Sequence, residues 1–377
     1  MDTAVIGKNA KRIRLGYELT RQQVAEKAGI SVATYAKVES GISSPRMDTL
    51  YRIAGAMAVG IQELFAPVRE LKAVRFRAQK KMKRRDQVLA RAARWLDDFN
   101  DLLQAEGSKE SYIRSGAPSM LDSVARDDRP QQAARFARQR MGLDQKEPIH
   151  DITGLLASSG IKLLTYPLAS DEFFGMSIGE SDGGPAIVVN VWDRIPVERW
   201  IFSTAHELGH LLLHLDAYDV SLIEEDKRQE TEANIFAGHF LLPQEGFENE
   251  WDEAIGLSFW ERVLKVKRIY HISDKTVLSR LVELGYVGND IWQARNRFLK
   301  SKYGSRNPAK YEPERLGSLD FVTDWLDRLV RNAVEKDMIT LNRASEVLNI
   351  SLQDMRKRVS SWAEEKGAIQ AGKTLHR

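Results

Sequence analysis

The chain has 377 residues, 43% of them hydrophobic and 29% charged, which is typical of an ordinary globular protein with two or three domains. It contains no cysteine, so disulfide bonds and thiolate metal sites are excluded, and any metal ion must bind His, Asp or Glu. No apolar run approaches 18 residues, and the N-terminus does not resemble a signal peptide. We therefore expect a cytoplasmic protein without a membrane partner.

The formal net charge of +3 conceals an uneven distribution. Residues 1–94 contain 20 Lys and Arg against 8 Asp and Glu, a balance of +12, and the rest of the chain carries −9. Basic charge concentrated in one segment favours a polyanionic partner for that segment. A solvated helical linker is the alternative interpretation.

The predicted elements suggest four regions and an α+β fold that is mainly α. These regions are an N-terminal domain (1–66), a basic connector and helical linker (67–130), a central domain (131–300) and a helical C-terminal module (314–377). Short helices are expected within 8–65, and further helices near 86–106, 131–141, 149–159, 197–214, 228–241 and 258–284. Three short strands are expected at 161–166, 173–178 and 186–190. The segment 304–313 (GSRNPAKYEP) is a linker.

Residues 19–31, LTRQQVAEKAGIS, predict two short helices joined by a tight turn. Thr20 and Gln23 form a capping box that starts the first helix, and Gly29 permits the left-handed turn that ends it. Ser31 then caps a second helix, which runs to residue 39. Two helices joined in this way are typical of a helix-turn-helix, the unit that reads DNA in the major groove.

Together with the following T-Y-x-K-x-E-S-G, the segment resembles the phage-repressor-like (XRE) helix-turn-helix family over about residues 7–65. The resemblance implies a five-helix domain that binds double-stranded DNA, and readers of this type usually bind as homodimers. The contacts that it implies are Ser31, Val32, Ala33 and Lys37 at bases or nearby phosphates, and Arg21, Ser40 and Arg46 at the backbone. Val32 and Ala33 offer no hydrogen bonds, so phosphate contacts should supply much of the affinity. A helical bundle for protein contacts is the alternative.

The connector carries a run of basic side chains. They are Arg69, Lys72, Arg75, Arg77, Lys80, Lys81, Lys83, Arg84 and Arg85. This run would either extend the phosphate-binding surface or form a solvated face, and the sequence favours neither interpretation.

The strongest chemical signal is STAHELGHLLLH at 203–214. His206 and His210 are four residues apart on a predicted helix, so both imidazoles project from one face, about one turn apart. This spacing suits two nitrogens that bind one zinc ion, and Glu207 lies beside them, where it can take a proton from water. This is the HExxH pattern of zinc metallopeptidases. An ordinary helix could carry the same letters, but three ionisable residues among apolar neighbours require a reason.

The segment ETEANIFAGHFLLP at 230–243 offers two carboxylates as the third ligand. Its apolar stripe places Glu230 and Asn234 on one edge of the helix and Glu232 towards the far side. We therefore favour Glu230 as the ligand and Asn234 as the group that orients a ligand imidazole, with Glu232 as the alternative ligand.

The remaining polar candidates are weaker. His239 should point away from the metal, and His214 should pair with a buried polar group, because three histidines on successive turns of one helix cannot surround one ion. A zinc metallopeptidase is also expected to have a residue that stabilises an oxyanion. Tyr218, Tyr270 and His271 are candidates by residue type alone.

The pattern AHELGHLLLH, followed by E-x-E-A-N-x-F-A and LLP, resembles the ImmA/IrrE metallopeptidase family over about residues 130–285. The resemblance implies a thermolysin-like domain in which a small twisted sheet packs on the helices of the zinc site. It also implies that His206, His210 and Glu230 bind Zn²⁺ and that Glu207 is the general base. Members of this family are site-specific endopeptidases that cleave helix-turn-helix repressors. His239 departs from the small or acidic residue that is usual at its position.

The tail contains ITLNRASEVLNIS at 339–351, which predicts another pair of helices joined by a turn. It resembles the C-terminal segment of long fused regulators of this class. A packing or dimerisation module is at least as compatible with the pattern as a second DNA reader.

These features predict a DNA-binding transcriptional regulator with zinc-dependent endopeptidase activity. Its expected substrate is a regulatory, repressor-type protein in a stress, mobile-element or toxin–antitoxin response. The alternative is a repressor or antitoxin whose zinc domain is not catalytic and binds a partner. A third possibility is self-cleavage within the loops at 107–130 or 304–313.

Overall fold

A computed structural model of the chain describes residues 2–65, 70–78, 85–107, 119–220 and 226–374. The α-helices in these ranges are α1 (Thr3–Gly16), α2 (Arg21–Ala28), α3 (Val32–Glu39), α4 (Met47–Ala56), α5 (Arg85–Glu106), α6 (Arg129–Arg140), α7 (Ile152–Ser158), α8 (Val197–Leu213), α9 (Lys227–Leu241), α10 (Gln244–Glu253), α11 (Phe259–Tyr270), α12 (Asp274–Glu283), α13 (Ile291–Tyr303), α14 (Trp325–Glu335), α15 (Leu341–Leu348) and α16 (Leu352–Thr374). The strands are β1 (Val74–Ala78), β2 (Lys162–Tyr166), β3 (Phe173–Ile178) and β4 (Ala186–Asn190). The predicted fold class, mainly helical with a small sheet, is confirmed.

The described residues form two compact units. The first contains α1–α5 and α14–α16, and the second contains the sheet and α6–α13. The helix α5, which the sequence analysis placed in a linker, is therefore part of the first unit. None of the described helices combines the length and the apolar character that are needed to cross a lipid bilayer.

The helices α1–α4 and a short 3₁₀ helix at Ile61–Leu64 enclose the core of the N-terminal domain. The predicted turn between α2 and α3 is confirmed. Thr20 and Gln23 form the capping box, Gly29 has a left-handed backbone with φ of 63°, and the Ser31 side chain accepts a hydrogen bond from the backbone N–H of Thr34. Buried apolar side chains on the inner faces, such as Tyr35 and Leu50, fix the two helices of the motif on the others.

An ion cluster inside this domain joins three of its helices. The buried carboxylate of Glu39 accepts hydrogen bonds from Arg14 Nε at 2.5 Å and from Arg21 Nε at 2.6 Å. Burial alone would raise the pKa of Glu39, but the hydrogen bonds from the two arginines outweigh it and lower the pKa below its ordinary value. Glu39 is therefore ionised at neutral pH and links α3 to α1 and α2.

The helix α5 joins the N-terminal helices to the tail. Its Arg91 donates to the carbonyl of Gly16 at 3.1 Å, and its Phe99 ring lies edge-on to Trp325 with centroids 4.9 Å apart. Arg343 of α15 donates to Asp98 at 2.6 Å. The predicted helical pair of the tail is present as α15 and the start of α16, with Asn349 in a left-handed conformation between them. These contacts indicate a packing role for the tail.

The sheet of the second unit has the strand order β1-β3-β4-β2. The strands β2 and β4 are parallel, whereas β3 is antiparallel to β4, and β1 is antiparallel to β3 at the edge. The three predicted strands are confirmed. The strand β1 was not predicted, because its sequence VRFRA lies in the connector that the sequence analysis interpreted as basic linker.

The helices α8 and α9 pack closely against each other, and α8 also packs against β3 and β4. A Cβ atom added to Gly209 of α8 would lie 2.9 Å from the Cδ1 atom of Phe236 on α9, so only glycine permits this approach without a shift. Phe236 in turn stacks on Phe240, with ring centroids 5.6 Å apart. The two segments that the sequence analysis singled out are thereby brought face to face in the core.

Candidate metal centre and DNA-binding surface

The helix α8 places His206, Glu207 and His210 in the core, with no more than 1% of each residue exposed. The first turn of α9 brings Glu230 to the two histidines. The Nε2 atoms of His206 and His210 are 3.0 Å apart, and the Glu230 carboxylate oxygens lie 3.4 Å from the first and 3.3 Å from the second. The ligand atoms of the three residues fall within 4.8 Å of one another.

Asn234 determines which nitrogen of His206 faces this group. Its side-chain oxygen lies 3.0 Å from Nδ1 of His206, and an amide oxygen can only accept a hydrogen bond. Nδ1 therefore carries the proton in the neutral ring, and Nε2 presents its lone pair to the group. The sequence analysis proposed Asn234 as the group that orients a ligand imidazole, and this role stays a prediction.

A chain of hydrogen-bonded side chains determines the tautomer of His210 in the same way. Glu232 accepts a hydrogen bond from His214 Nε2 at 2.8 Å, and His214 Nδ1 lies 2.9 Å from His210 Nδ1. A neutral His214 that donates through Nε2 accepts through Nδ1, so the Nδ1 atom of His210 donates and its Nε2 atom carries the lone pair. Burial lowers the pKa of His210 well below its ordinary value and keeps the ring neutral.

Glu232 is the residue at the end of this chain of hydrogen bonds. It also accepts a hydrogen bond from Arg228 at 2.9 Å. Burial would raise the pKa of Glu232, but the hydrogen bonds from His214 and Arg228 outweigh it and lower the pKa. Glu232 lies outside the group of His206, His210 and Glu230, so its alternative role as a ligand is not supported by its position. The sequence analysis expected His214 to pair with a buried polar group, and its partners are the buried His210 and the partly buried Glu232.

The donor atoms of this group suit a divalent cation. Two imidazole lone pairs and one carboxylate converge, and all of them are acceptors, so no proton shared among them explains their approach. Two histidines and one glutamate are the ligand set of several catalytic zinc sites, in which a fourth position stays open. The residues that are present therefore fit zinc.

The Glu207 side chain is held from the sheet side. Its Oε2 atom accepts a hydrogen bond from the hydroxyl of Ser177 on β3 at 2.9 Å, and Ser177 Oγ accepts one from the Tyr218 hydroxyl at 2.7 Å. Burial raises the pKa of Tyr218, so this phenol keeps its proton at neutral pH. Ser177 was missed by the sequence analysis, because a lone serine in an apolar strand carries no signal.

Arg75 of β1 also reaches this group. Its Nη2 atom donates to Glu230 Oε1 at 3.2 Å, and its Nη1 atom donates to the Gln229 side chain. Arg75 is thus not part of a phosphate-binding surface, and the backbone N–H of Lys72 is bound by Asp182. The connector residues Arg69, Lys80, Lys81, Lys83 and Arg84 lie outside the described residues.

Two of the oxyanion candidates, Tyr270 and His271, lie in other environments, and so does His239. The Tyr270 hydroxyl donates to the carbonyl of Lys146 at 2.9 Å, and the His271 ring contacts the His150 ring with centroids 5.0 Å apart. His239 pairs with Glu283 at 2.7 Å. Of the three oxyanion candidates, only Tyr218 is hydrogen-bonded, through Ser177, to the HExxH glutamate.

A cavity of about 960 Å³ is lined in part by Asn234, which contacts His206, whereas His206, Glu207, His210 and Glu230 do not line it. The aromatic side chains that line it include Phe174 of β3, Trp192 after the end of β4 and Phe202 of α8. Basic side chains line other parts, including Arg199 and Lys275. A space of this size can accept side chains of a polypeptide.

The second helix of the helix-turn-helix presents a polar and apolar surface to solvent. Ser31, Val32, Ala33 and Lys37 are all exposed, and so are Arg21, Ser40 and Arg46 around it. Arg21 is half-exposed although one of its donors binds Glu39. Ile42 and Tyr51, which were not considered from the sequence, are also exposed, at 79% and 60%. The surface expected to contact DNA is therefore accessible within this domain.

Two protein-family models match the chain. Residues 11–64 match the helix-turn-helix family, and residues 159–282 match the family described as the IrrE N-terminal-like domain, which is a metallopeptidase-like domain. The cryptic phage CTXphi transcriptional repressor RstR of Vibrio cholerae serotype O1 (strain ATCC 39315 / El Tor Inaba N16961) is 44% identical over 45 residues. This match covers 12% of the chain and 40% of the repressor, so the chain spans less than half of that relative.

Two solved structures align with the chain over most of their length. One is Bacillus thuringiensis PlcR in complex with the peptide PapR7 and DNA, at 12% identity, with 99% of each chain covered and a TM-score of 0.17. The other is the apo form of the competence regulator ComR from Streptococcus vestibularis, at 11% identity, with 96% of this chain and 99% of that chain covered and a TM-score of 0.17. TM-scores this low support no conclusion about the fold.

Proposed function

Because the chain combines an XRE-type helix-turn-helix domain at residues 11–64 with an IrrE N-terminal-like domain at residues 159–282, we propose that it is a DNA-binding regulator with zinc-dependent endopeptidase activity. One observation carries the enzymatic part: the lone pairs of His206 and His210 converge with the Glu230 carboxylate, and Glu207 lies beside them. Its partners are double-stranded DNA and a second copy of the chain.

The chain's own residues supply the other parts of the chemistry. When bound by His206, His210 and Glu230, zinc polarises a scissile carbonyl and makes water more acidic. Glu207 accepts the proton of the attacking water and passes it to the leaving amine. The Ser177 hydroxyl holds one oxygen of Glu207, so that the other is kept in a fixed direction.

The substrate in this proposal is a regulatory protein of the repressor type. The ImmA/IrrE resemblance supports this class, and the helix-turn-helix domain would bring the peptidase to DNA where such proteins bind. Cleavage of a bound repressor would then switch on its genes. The alternative, a repressor or antitoxin with a non-catalytic zinc domain, shares the metal site and lacks the cleavage.

The metal site is tested by elemental analysis of purified full-length protein. We expect about one zinc ion per chain in the wild type and its loss in His206→Ala, His210→Ala and Glu230→Ala, because each change removes one of three protein ligands. Glu232→Ala is the matched control on the same helix, since it removes a carboxylate that binds His214. It should retain metal at saturating zinc.

Two outcomes of this measurement would change the proposal. A wild-type protein that takes up no zinc after reconstitution would contradict the metallopeptidase. Loss of zinc in Glu232→Ala and retention in Glu230→Ala would show that Glu232, and not Glu230, is the third ligand. Circular dichroism of each variant distinguishes loss of the ligand from loss of the fold.

The DNA surface is tested with a random-sequence duplex, which reports phosphate contacts without knowledge of the operator. We expect Lys37→Ala to weaken binding and to reduce the slope of log K against log salt by about 1, the effect of one lost phosphate contact. Lys336→Ala, an exposed lysine next to α14, is the matched control and should leave the slope unchanged. Equal slopes for the two variants would show that Lys37 does not contact a DNA phosphate.

A further inference from the structure

The edge strand β1 is an addition to the peptidase domain. It comes from residues 74–78, which lie outside the family match at 159–282, and it follows the helix-turn-helix domain in the sequence. Hydrogen bonds anchor its N-terminal end, and one of them joins the Val220 N–H to the Lys72 carbonyl at 2.7 Å. Asp182 Oδ2 accepts hydrogen bonds from the backbone N–H groups of Lys72 and Ala73 at 2.5 and 2.6 Å, and Gly179 N–H donates to the Ala73 carbonyl at 2.9 Å.

The strand that pairs with the outer edge of β3 lies against the candidate metal centre. In the antiparallel register, Arg75 is directly opposite Ser177, whose hydroxyl donates to Glu207. Directly opposed residues point to the same face of a sheet, and the Arg75 guanidinium accordingly reaches Glu230 on α9. Any strand that pairs with β3 in this register therefore places one side chain beside the Glu230 carboxylate and opposite the serine that binds Glu207.

We propose that the outer edge of β3 is the binding site for an extended polypeptide with Arg or Lys opposite Ser177, and that β1 occupies this site as an intramolecular competitor. The backbone groups of β3 can form the same ladder with any extended chain, whereas the specificity comes from the side chain that meets Glu230. The inference deepens the proposed function, because it identifies the class of substrate segment. The identification of the bound polypeptide as a substrate rests on the proposed peptidase activity, whereas the competition between this polypeptide and β1 does not.

The competition explains why the connector strand carries an arginine at this position. While β1 is paired, its guanidinium binds the Glu230 carboxylate and its backbone fills the β3 edge. A substrate strand in the same register needs both the Glu230 carboxylate and the backbone groups at the edge of β3. Binding of substrate at this edge therefore requires that β1 leave it, and the two states exclude each other.

The test uses a fluorescent peptide with the sequence of residues 71–78, LKAVRFRA, and the full-length protein without metal. The double variant Asp182→Ala with Arg75→Gln removes two anchors of β1 and opens the site. The double variant Val74→Cys with Ile178→Cys closes it on oxidation, because these residues are directly opposite and the chain has no other cysteine. Fluorescence anisotropy measures binding, and hydrogen exchange of residues 173–178 measures release of β1.

We expect the opened variant to bind the peptide about tenfold or more tightly than the oxidised cysteine variant. A peptide with Arg75→Glu should bind about tenfold or more weakly than LKAVRFRA, the size of one charge-assisted hydrogen bond. Reduction of the cysteine variant should restore wild-type exchange. The amides of β3 should exchange faster in the opened variant than in the wild type.

Three results would overturn the inference. The first is equal binding of the peptide to the oxidised and opened proteins. The second is wild-type protection of β3 in the opened variant, which would show that β1 is a permanent strand. The third is faster exchange of β3 without peptide binding at about millimolar concentration, which is the weak end of specific association. Because neither zinc nor cleavage enters these measurements, failure of the proposed enzyme would leave their outcome unaffected.

Discussion

Glu207→Gln is expected to abolish cleavage and to leave zinc binding intact. The amide cannot accept the proton of the attacking water, and general base catalysis of this kind contributes about 10²–10⁴-fold to a rate. Glu207 is not one of the three grouped ligands, and its amide replacement can still accept a hydrogen bond from Ser177. The metal site should therefore keep its three protein ligands.

The measurement compares new protein N-termini in cells that express the wild type or the variant, with zinc analysed in both purified proteins. Glu250→Gln is the matched control, because Glu250 is a carboxylate of the same unit that pairs with Lys265 at 3.2 Å and belongs neither to the metal group nor to the lining of the cavity. It should keep the cleavage products of the wild type. Products that persist in Glu207→Gln at wild-type zinc content would exclude Glu207 as the base. Their absence in all three proteins would favour the non-catalytic alternative.

Local sequence patterns were sufficient for the helix-turn-helix and for the helices of the metal group. The capping box at Thr20, the left-handed Gly29 and the cap at Ser31 are all interactions within a few residues, so the sequence determines them directly. The spacing of His206 and His210 determines their common face in the same way. The apolar stripe of α9 likewise placed Glu230, and not Glu232, on the side where the structure has it.

The contacts that complete the site were not predictable, because they join distant parts of the chain. Arg75 and Glu230 are 155 residues apart, and Ser177 and Glu207 are 30 residues apart. The strand β1 is short and basic, and its pairing with β3 depends on a neighbour that local periodicity does not reveal. The same reason explains why α5 looked like a linker, since its partners lie in α1 and in the tail.

His214 and Glu232, the hydrogen-bonded side chains behind His210, are expected to affect zinc affinity as strongly as any residue other than the three ligands. His214→Ala removes the acceptor of the His210 Nδ1 proton, so the ring loses both its orientation and its fixed tautomer. Loss of such a supporting contact typically lowers metal affinity about 10–100-fold. Glu232→Gln should give a smaller decrease, because the amide oxygen can still accept a hydrogen bond from His214.

The zinc dissociation constant is measured by competition with a chromophoric chelator at pH 7. His239→Ala is the matched control, since it removes a histidine paired with Glu283 and should leave the affinity unchanged. Equal affinities of His214→Ala and the wild type would show that His210 is oriented by packing alone. A lower urea midpoint with unchanged affinity would assign His214 to the stability of α8. A weaker zinc site with an unchanged midpoint would establish that the sequence LLLH after HELGH extends the metal site beyond its ligands.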